Sequence, residues 1–258
     1  MTVKDIIDVL EAFAPLSVQE KWDNSGLCIG SETDEVHGVI LGLDCTPELV
    51  DEAVACGADM IVTHHPLIFG GIRKISGDEP VGEAVIKAVK AGIAVYAAHT
   101  TADKVLAGVS GAMAAKLGLS DVEILDNEGD GHGLGVVGNL PGPMDYGAVV
   151  GKVKAAFGLK VVRSSAPLDG LVSRVALCGG SGSSLIGKAE ASGAQLYVTG
   201  DVSYHHFFTR RGFAIMDIGH YEGEICIVDI LFSLLKKNFP NFAVCITKNL
   251  NSNPVFYF

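Results

Sequence analysis

The sequence predicts an α/β protein built from two related β-α-β lobes that arose by internal duplication. Each lobe is expected to be a mixed sheet covered by helices, with a metal site between the lobes. Three observations carry this expectation. Residues 36–63 and 172–199 align without a gap at a constant offset of 136. Ten of those positions are identical, among them Val36/Val172, Leu49/Leu185, Ala53/Ala189, Gly57/Gly193, Ala58/Ala194 and Thr63/Thr199. Short, near-continuous apolar runs alternate with helical patterns, as in a largely parallel sheet covered by helices. The 258 residues are 48% hydrophobic and 19% charged. That is long enough for two modest lobes and excludes a disordered chain or a coiled coil.

The elements follow in order. A first strand is read at residues 39–43 and again at 175–177. The helix after it carries Leu49, Val50, Ala53 and Val54 on one face, with Thr46 as its cap and Pro47 at its first position. A Gly-Ala turn ends the helix, and a second strand follows at 60–63 or 196–199. The similarity resumes at 92–96 and 212–216, read as third strands. That offset is 120, not 136, because the first copy carries an extra loop and helix at roughly 66–89. The polar, Gly-rich stretch 127–132 is the expected boundary. It divides the chain into lobes 1–126 and 127–258, with the C-terminal tail able to return to the first lobe. Glycine, 32 of 258 residues, punctuates the repeated units.

Acidic residues exceed basic ones by 30 to 19, a net charge of −11. This argues against phosphate-backbone binding as the main task and is compatible with binding cations. Residues 1–30 show no secretory pattern, and no apolar run reaches the ~18 residues of a membrane span. Cys28, Cys45, Cys56, Cys178, Cys226 and Cys245 form no CxxC pair. They read as buried small hydrophobes in a reducing compartment, so a cytoplasmic location is expected.

Ligands of α/β sheets bind beyond the carboxyl ends of the strands. There this sequence places His64 and His65, then His99 with Asp103 four residues on, then His220 with Glu224 four residues on. Neutral imidazoles with carboxylates and no thiolates suit zinc, iron, manganese, cobalt or nickel. Five or six such donors suit two ions sharing a bridging carboxylate, roughly 3.5–4 Å apart. His205 and His206 fall near the place where the repeat puts His64 and His65, and either line the site or sit on a helix. His37 and His132 lie in polar loops with no specific role. Arg210 and Arg211, beside Tyr204, Phe207 and Phe208, are a local place for a phosphate or a stacked base, or an ordinary solvated helix edge.

Four separated blocks occur in order: WDNSGLCIG at 22–30, VTHHPLIF followed by Gly70-Gly71, HTTAD at 99–103, and GHYEGE at 219–224. Together they resemble the NGG-interacting-factor-like family of dinuclear metal-centre proteins, whose bacterial members are labelled GTP cyclohydrolase 1 type 2 homologues. The chain looks like the short form, with no inserted third domain. By this resemblance the ligands fall on His64, His65, Asp103, His220 and Glu224, and His99 becomes a neighbour of the ions. The resemblance also implies a toroidal homohexamer with metal sites facing an internal cavity.

The expected function is that of a metal-dependent hydrolase holding two divalent transition-metal ions per chain. Such ions lower the pKa of a bound water from 15.7 to about 7. Glu224 is read as the bridging ligand, with His65 and Asp103 on one ion and His64 and His220 on the other. His99 is the catalytic proton shuttle. The family label implies ring opening of GTP with release of formate, although the sequence holds no GxxxxGK[ST] loop and no GxGxxG after a strand. The alternative is a non-catalytic metal-binding or regulatory protein whose ring cavity engages a partner or nucleic acid. Residues 22–30 are expected to form a structural turn.

Overall fold

The apolar runs that the repeat places at equivalent positions form the parallel centres of two separate sheets. The computed structural model of the protein describes residues 1–249 and 253–256. In chain order its elements begin with α1 (Val3–Phe13), β1 (Gly26–Ile29), β2 (Gly38–Gly42), α2 (Pro47–Cys56), β3 (Met60–Thr63), α3 (Pro80–Ala91), β4 (Ala94–Ala97) and α4 (Thr100–Asp103). There follow α5 (Val109–Leu117), β5 (Ser120–Gly129), β6 (His132–Met144), α6 (Tyr146–Phe157), β7 (Arg163–Ser164), β8 (Val172–Ser181) and α7 (Ile186–Ala191). The last are β9 (Leu196–Gly200), β10 (Ala214–Asp217), α8 (His220–Glu224), α9 (Cys226–Asn238) and β11 (Ala243–Ile246).

The chain divides into two compact units, one of residues 1–102 with 227–258 and the other of residues 103–226. The sheet of the first has the order β1-β4-β3-β2-β11, with β4, β3, β2 and β11 parallel and β1 antiparallel at the edge. That of the second has the order β5-β6-β8-β9-β10-β7, with β8, β9 and β10 parallel and the others antiparallel. Both are mixed sheets of an α/β fold.

Strand register carries the duplication into three dimensions. Val39 pairs with Met60, and Val175 with Leu196, both members shifted by 136. Met60 pairs with Ala94, and Leu196 with Ala214. At the strand ends the Ala98 amide donates to the Thr63 carbonyl at 2.9 Å, and the Ile218 amide repeats the bond to Thr199 at 2.9 Å. The central strands β2, β3, β4, β9 and β10 are buried along their whole length. That is why they read as near-continuous apolar runs and not as alternation. Ile40, Ile61 and Val95 pack with Leu49, Val50 and Ala53 of α2 and with Ala84, Val85 and Ala88 of α3. In the second unit Ala176, Tyr197 and Ile215 pack with Leu185 and Ala189.

Helix α2 begins as expected. The Thr46 hydroxyl accepts from the Leu49 amide at 3.3 Å, Pro47 occupies the first turn, and Gly57 closes the helix at φ 70°. Its counterpart α7 is shorter and follows a 3-10 turn at Ser183–Leu185. The preceding loop is pinned instead, its Gly182 amide donating to Thr199 and its carbonyl accepting from the Tyr197 hydroxyl. The extra loop and helix of the first copy are the segment after β3 and α3, which starts at Pro80.

Two expectations need revision. The stretch 127–132 is the tip of the β5–β6 hairpin inside the second unit, strand ends closed by a turn at Asp130 and Gly131, where Asn127 pairs with Gly133 and Gly129 with His132. Its polar, Gly-rich character is that of a hairpin turn. The chain instead crosses between units at 102/103 and at 226/227, and β11 pairs with β2 in the first unit. Cys45, Cys178 and Cys226 are buried, but Cys56 and Cys245 are exposed. Among the described residues no helix is long and apolar enough to cross a membrane.

Candidate metal centre

In the first unit β3 and β4 run side by side and deliver three imidazoles from their carboxyl ends. The ring centroids of His64, His65 and His99 lie 5.0–5.5 Å apart. One ligand atom from each lies within 4.8 Å of the others, so the three can hold a metal ion. His64 is fully buried and His99 is buried.

Each ring is oriented through Nδ1. His64 Nδ1 donates to the Ala98 carbonyl at 2.9 Å. His65 Nδ1 donates to Asp44 Oδ1 at 2.7 Å, and His99 Nδ1 to Asp23 Oδ1 at 2.7 Å. A carbonyl oxygen only accepts, so the Ala98 bond puts the His64 proton on Nδ1. In the neutral ring the lone pair is then on Nε2, and carboxylates at His65 and His99 favour the same tautomer. This is the arrangement by which proteins orient metal-binding imidazoles and raise their basicity.

Asp23 is itself held. It accepts from the Ser25 hydroxyl at 2.6 Å and from the Thr100 amide at 3.1 Å. Burial pushes its carboxyl up, but the hydrogen bonds from His99, Ser25 and Thr100 outweigh burial and hold it well below the usual carboxylate range. The stretch 22–30 therefore does more than turn the chain: Asp23 orients His99, and Trp22 sets its ring edge-on to His99, centroids 5.8 Å apart.

In the second unit the donors stand on one helical turn. His220 opens α8 and Glu224 closes it, and His220 Nε2 lies 3.0 Å from Glu224 Oε2. His220 Nδ1 donates to Asp201 Oδ2 at 2.7 Å. A neutral His220 would thus turn a lone pair toward a carboxylate oxygen, a juxtaposition that a shared cation relieves. Glu224 is buried, and glycines make room for its carboxylate and for the start of α8. At Gly180, φ 58°, a Cβ would overlap Glu224 Oε1, and at Gly200 it would meet the Gly219 and His220 backbone at 2.8 Å. Asp103, the last residue of α4, is half-buried. Burial first, then the charges of Asp103 and Glu224, push the Cys178 thiol up to about 12, and no cysteine belongs to the groups of side chains that can hold an ion among the described residues. The donor set is therefore imidazole and carboxylate, which fits a divalent transition metal.

Other candidates lie elsewhere. His205 and His206 sit on an exposed 3-10 turn, His206 near the Ser203 hydroxyl at 3.3 Å. His37 pairs with Asp59 at 3.2 Å. His132 begins β6 and is not in a loop. Arg210 and Arg211 line an open pocket of about 520 Å³ with Phe213 and Leu171, before the amino end of β10 and so at the opposite strand end from His220.

Sequence reasoning missed the carboxylates that orient the imidazoles: Asp23, Asp44 and Asp201. Asp44 and Asp201 also follow strand ends, so the rule that found the histidines reaches them too. Asp201 occupies the repeat position of His65, since 65 + 136 = 201, and takes a left-handed φ of 52°.

Comparison with known proteins places these features in a family. The sequence profile described as Duf34/NIF3 (NGG1p interacting factor 3) matches residues 1–254. A Clostridium perfringens protein named "GTP cyclohydrolase 1 type 2 homolog" is 34% identical over 87% of this chain and 87% of its own length. A Lactococcus lactis protein of the same name is 36% identical over 86% of each. Among solved structures, a Staphylococcus aureus hypothetical protein superposes with a TM-score of 0.93 at 28% identity, covering 100% of this chain and 99% of that one. A Bacillus cereus protein described as related to NIF3 gives 0.93 at 25% identity with the same coverage.

Proposed function

The chain belongs to the Duf34/NIF3 (NGG1p interacting factor 3) family, and from that premise we propose that it is a metal-dependent hydrolase with a dinuclear centre. His64, His65, Asp103, His220 and Glu224 are the residues that would hold the ions in this reading. The observation that carries it is the set of oriented imidazoles: His64, His65 and His220 each commit Nδ1 to an acceptor, which leaves the lone pair of the neutral ring on Nε2. Two divalent transition-metal ions held there supply Lewis acidity and acidify a water at neutral pH.

The protein's own part is positioning and proton transfer. Asp23 fixes the His99 tautomer, so Nε2 is the atom at which His99 takes a proton from the reacting water and returns it to the leaving group. The Ser25 hydroxyl and the Thr100 amide hold Asp23 in place while the proton moves. The names of the relatives favour a nucleotide substrate of the GTP cyclohydrolase type, opened with release of formate. A cytoplasmic location and a ring-shaped hexamer belong to the same reading.

A formate assay on metal-loaded protein with GTP tests it. Turnover is expected and should vanish in Glu224→Ala. No turnover across nucleotides, phosphoesters and amides would favour the second reading, a regulatory protein that engages a partner. The exposed, edge-to-face pair Tyr204 and Phe208, centroids 5.5 Å apart, is the feature that reading draws on.

A further inference from the structure

Two large aromatic side chains of the first unit avoid its core and stand in solvent beside the imidazoles. Trp22, in the loop before β1, is 63% exposed, and Phe69, in the loop after β3, is 50% exposed. Both rings meet the same partner edge-on. Trp22 lies 5.8 Å from the His99 centroid at 72°, and Phe69 lies 5.2 Å from it at 84°. Phe69 also tilts over His65 at 6.2 Å. The loops that carry them are tied together, because Asn24 Nδ2 donates to the Ile68 carbonyl at 2.7 Å. Asn24 and Ile68 are next but one to Trp22 and next to Phe69, so this bond limits how far the rings can drift apart.

A T-shaped contact occupies at most one face of a ring and leaves the opposite face available. Two such rings on braced loops, flanking a cluster of metal-binding imidazoles, form a stacking platform. We propose that Trp22 and Phe69 hold a planar aromatic ring of the substrate, a nucleobase or similar heteroaromatic, against the His64, His65 and His99 cluster. This rests on the hydrolase reading for the purpose of the site, but the platform itself stands on ring positions and exposure alone. Stacking of a base on an aromatic side chain is sequence-tolerant, because every base offers a π face. The chain has no phosphate-binding glycine loop of the usual kind, so ring stacking is a recognition element open to it.

Trp22 is the only tryptophan of the chain, so its fluorescence reports the platform directly. The experiment titrates metal-loaded protein with guanosine, adenosine and ribose, exciting above the absorption of the bases. Saturable quenching by both nucleosides and none by ribose is expected. Phe69→Ala should weaken nucleoside binding by at least about fivefold, while Phe69→Tyr, which keeps a ring, should retain it. Equal response to ribose, or unchanged affinity in Phe69→Ala, would overturn the proposal. Metal content is read on the same samples. Protein that holds its ions but shows no quenching refutes the platform alone, and quenching in protein that binds no ion refutes the metal reading alone.

Discussion

At the scale of single residues, the orientation of the imidazoles depends on the carboxylates hydrogen-bonded behind them. Asp44 and Asp201 set the tautomers of His65 and His220, and loss of such an orienting partner commonly weakens metal binding 10–100-fold. Asp44→Asn and Asp201→Asn should therefore each raise the metal dissociation constant by about that factor, read by competition with a chelator. Gly180→Ala should cost ions at least as severely, because its Cβ would overlap the Glu224 carboxylate and Gly180 itself sits at φ 58°, where an alanine is strained. Asp23 gives a signature in pH. Its folded carboxyl is held below the ordinary value of about 3.9, so its contribution is fully present above that value and is lost as pH falls toward the folded one. Asp23→Asn should accordingly lose less stability than the wild type between about pH 4 and pH 2, read as melting temperature against pH. The histidines were legible in the sequence because few occur and most of the informative ones follow strands. The carboxylates that hold them were not, because they are three among 30 acidic residues and their partners lie as far as 76 positions away.

At the scale of elements, the repeated strands and α2 were readable because burial on both faces writes itself as continuous apolar sequence, and a Thr-Pro start marks a helix. Thr46→Ala should cost about 1 kcal/mol, and Leu177→Ala in the buried β8 roughly 2–5 kcal/mol. Chemical denaturation checks both. The β5–β6 hairpin was not readable. It lies outside the repeat, β5 is largely exposed, and β6, though buried in its middle, is broken by glycines and so shows no long apolar run. The repeat predicts a helix in both copies, and α7 is there but shorter, since the second copy lacks the Thr-Pro start that caps α2.

At the scale of the molecule, composition could suggest two lobes but not where the chain passes between them. The division at 102/103 and 226/227 follows contacts, including the pairing of β11 with β2 more than 200 residues away in sequence, and no polar linker marks it. One consequence is that the two donor sets fall in different units: His64, His65 and His99 in the first, and Asp103, His220 and Glu224 in the second. The proposal that both sets serve one dinuclear centre makes metal content the decisive quantity. Elemental analysis of purified wild-type protein, His64→Ala and Glu224→Ala measures it. The account predicts about two transition-metal ions per chain in the wild type and a loss of ions in each variant, although one substitution lies in each unit. Wild-type protein without transition metal after reconstitution, or variants that retain the full complement, would contradict it.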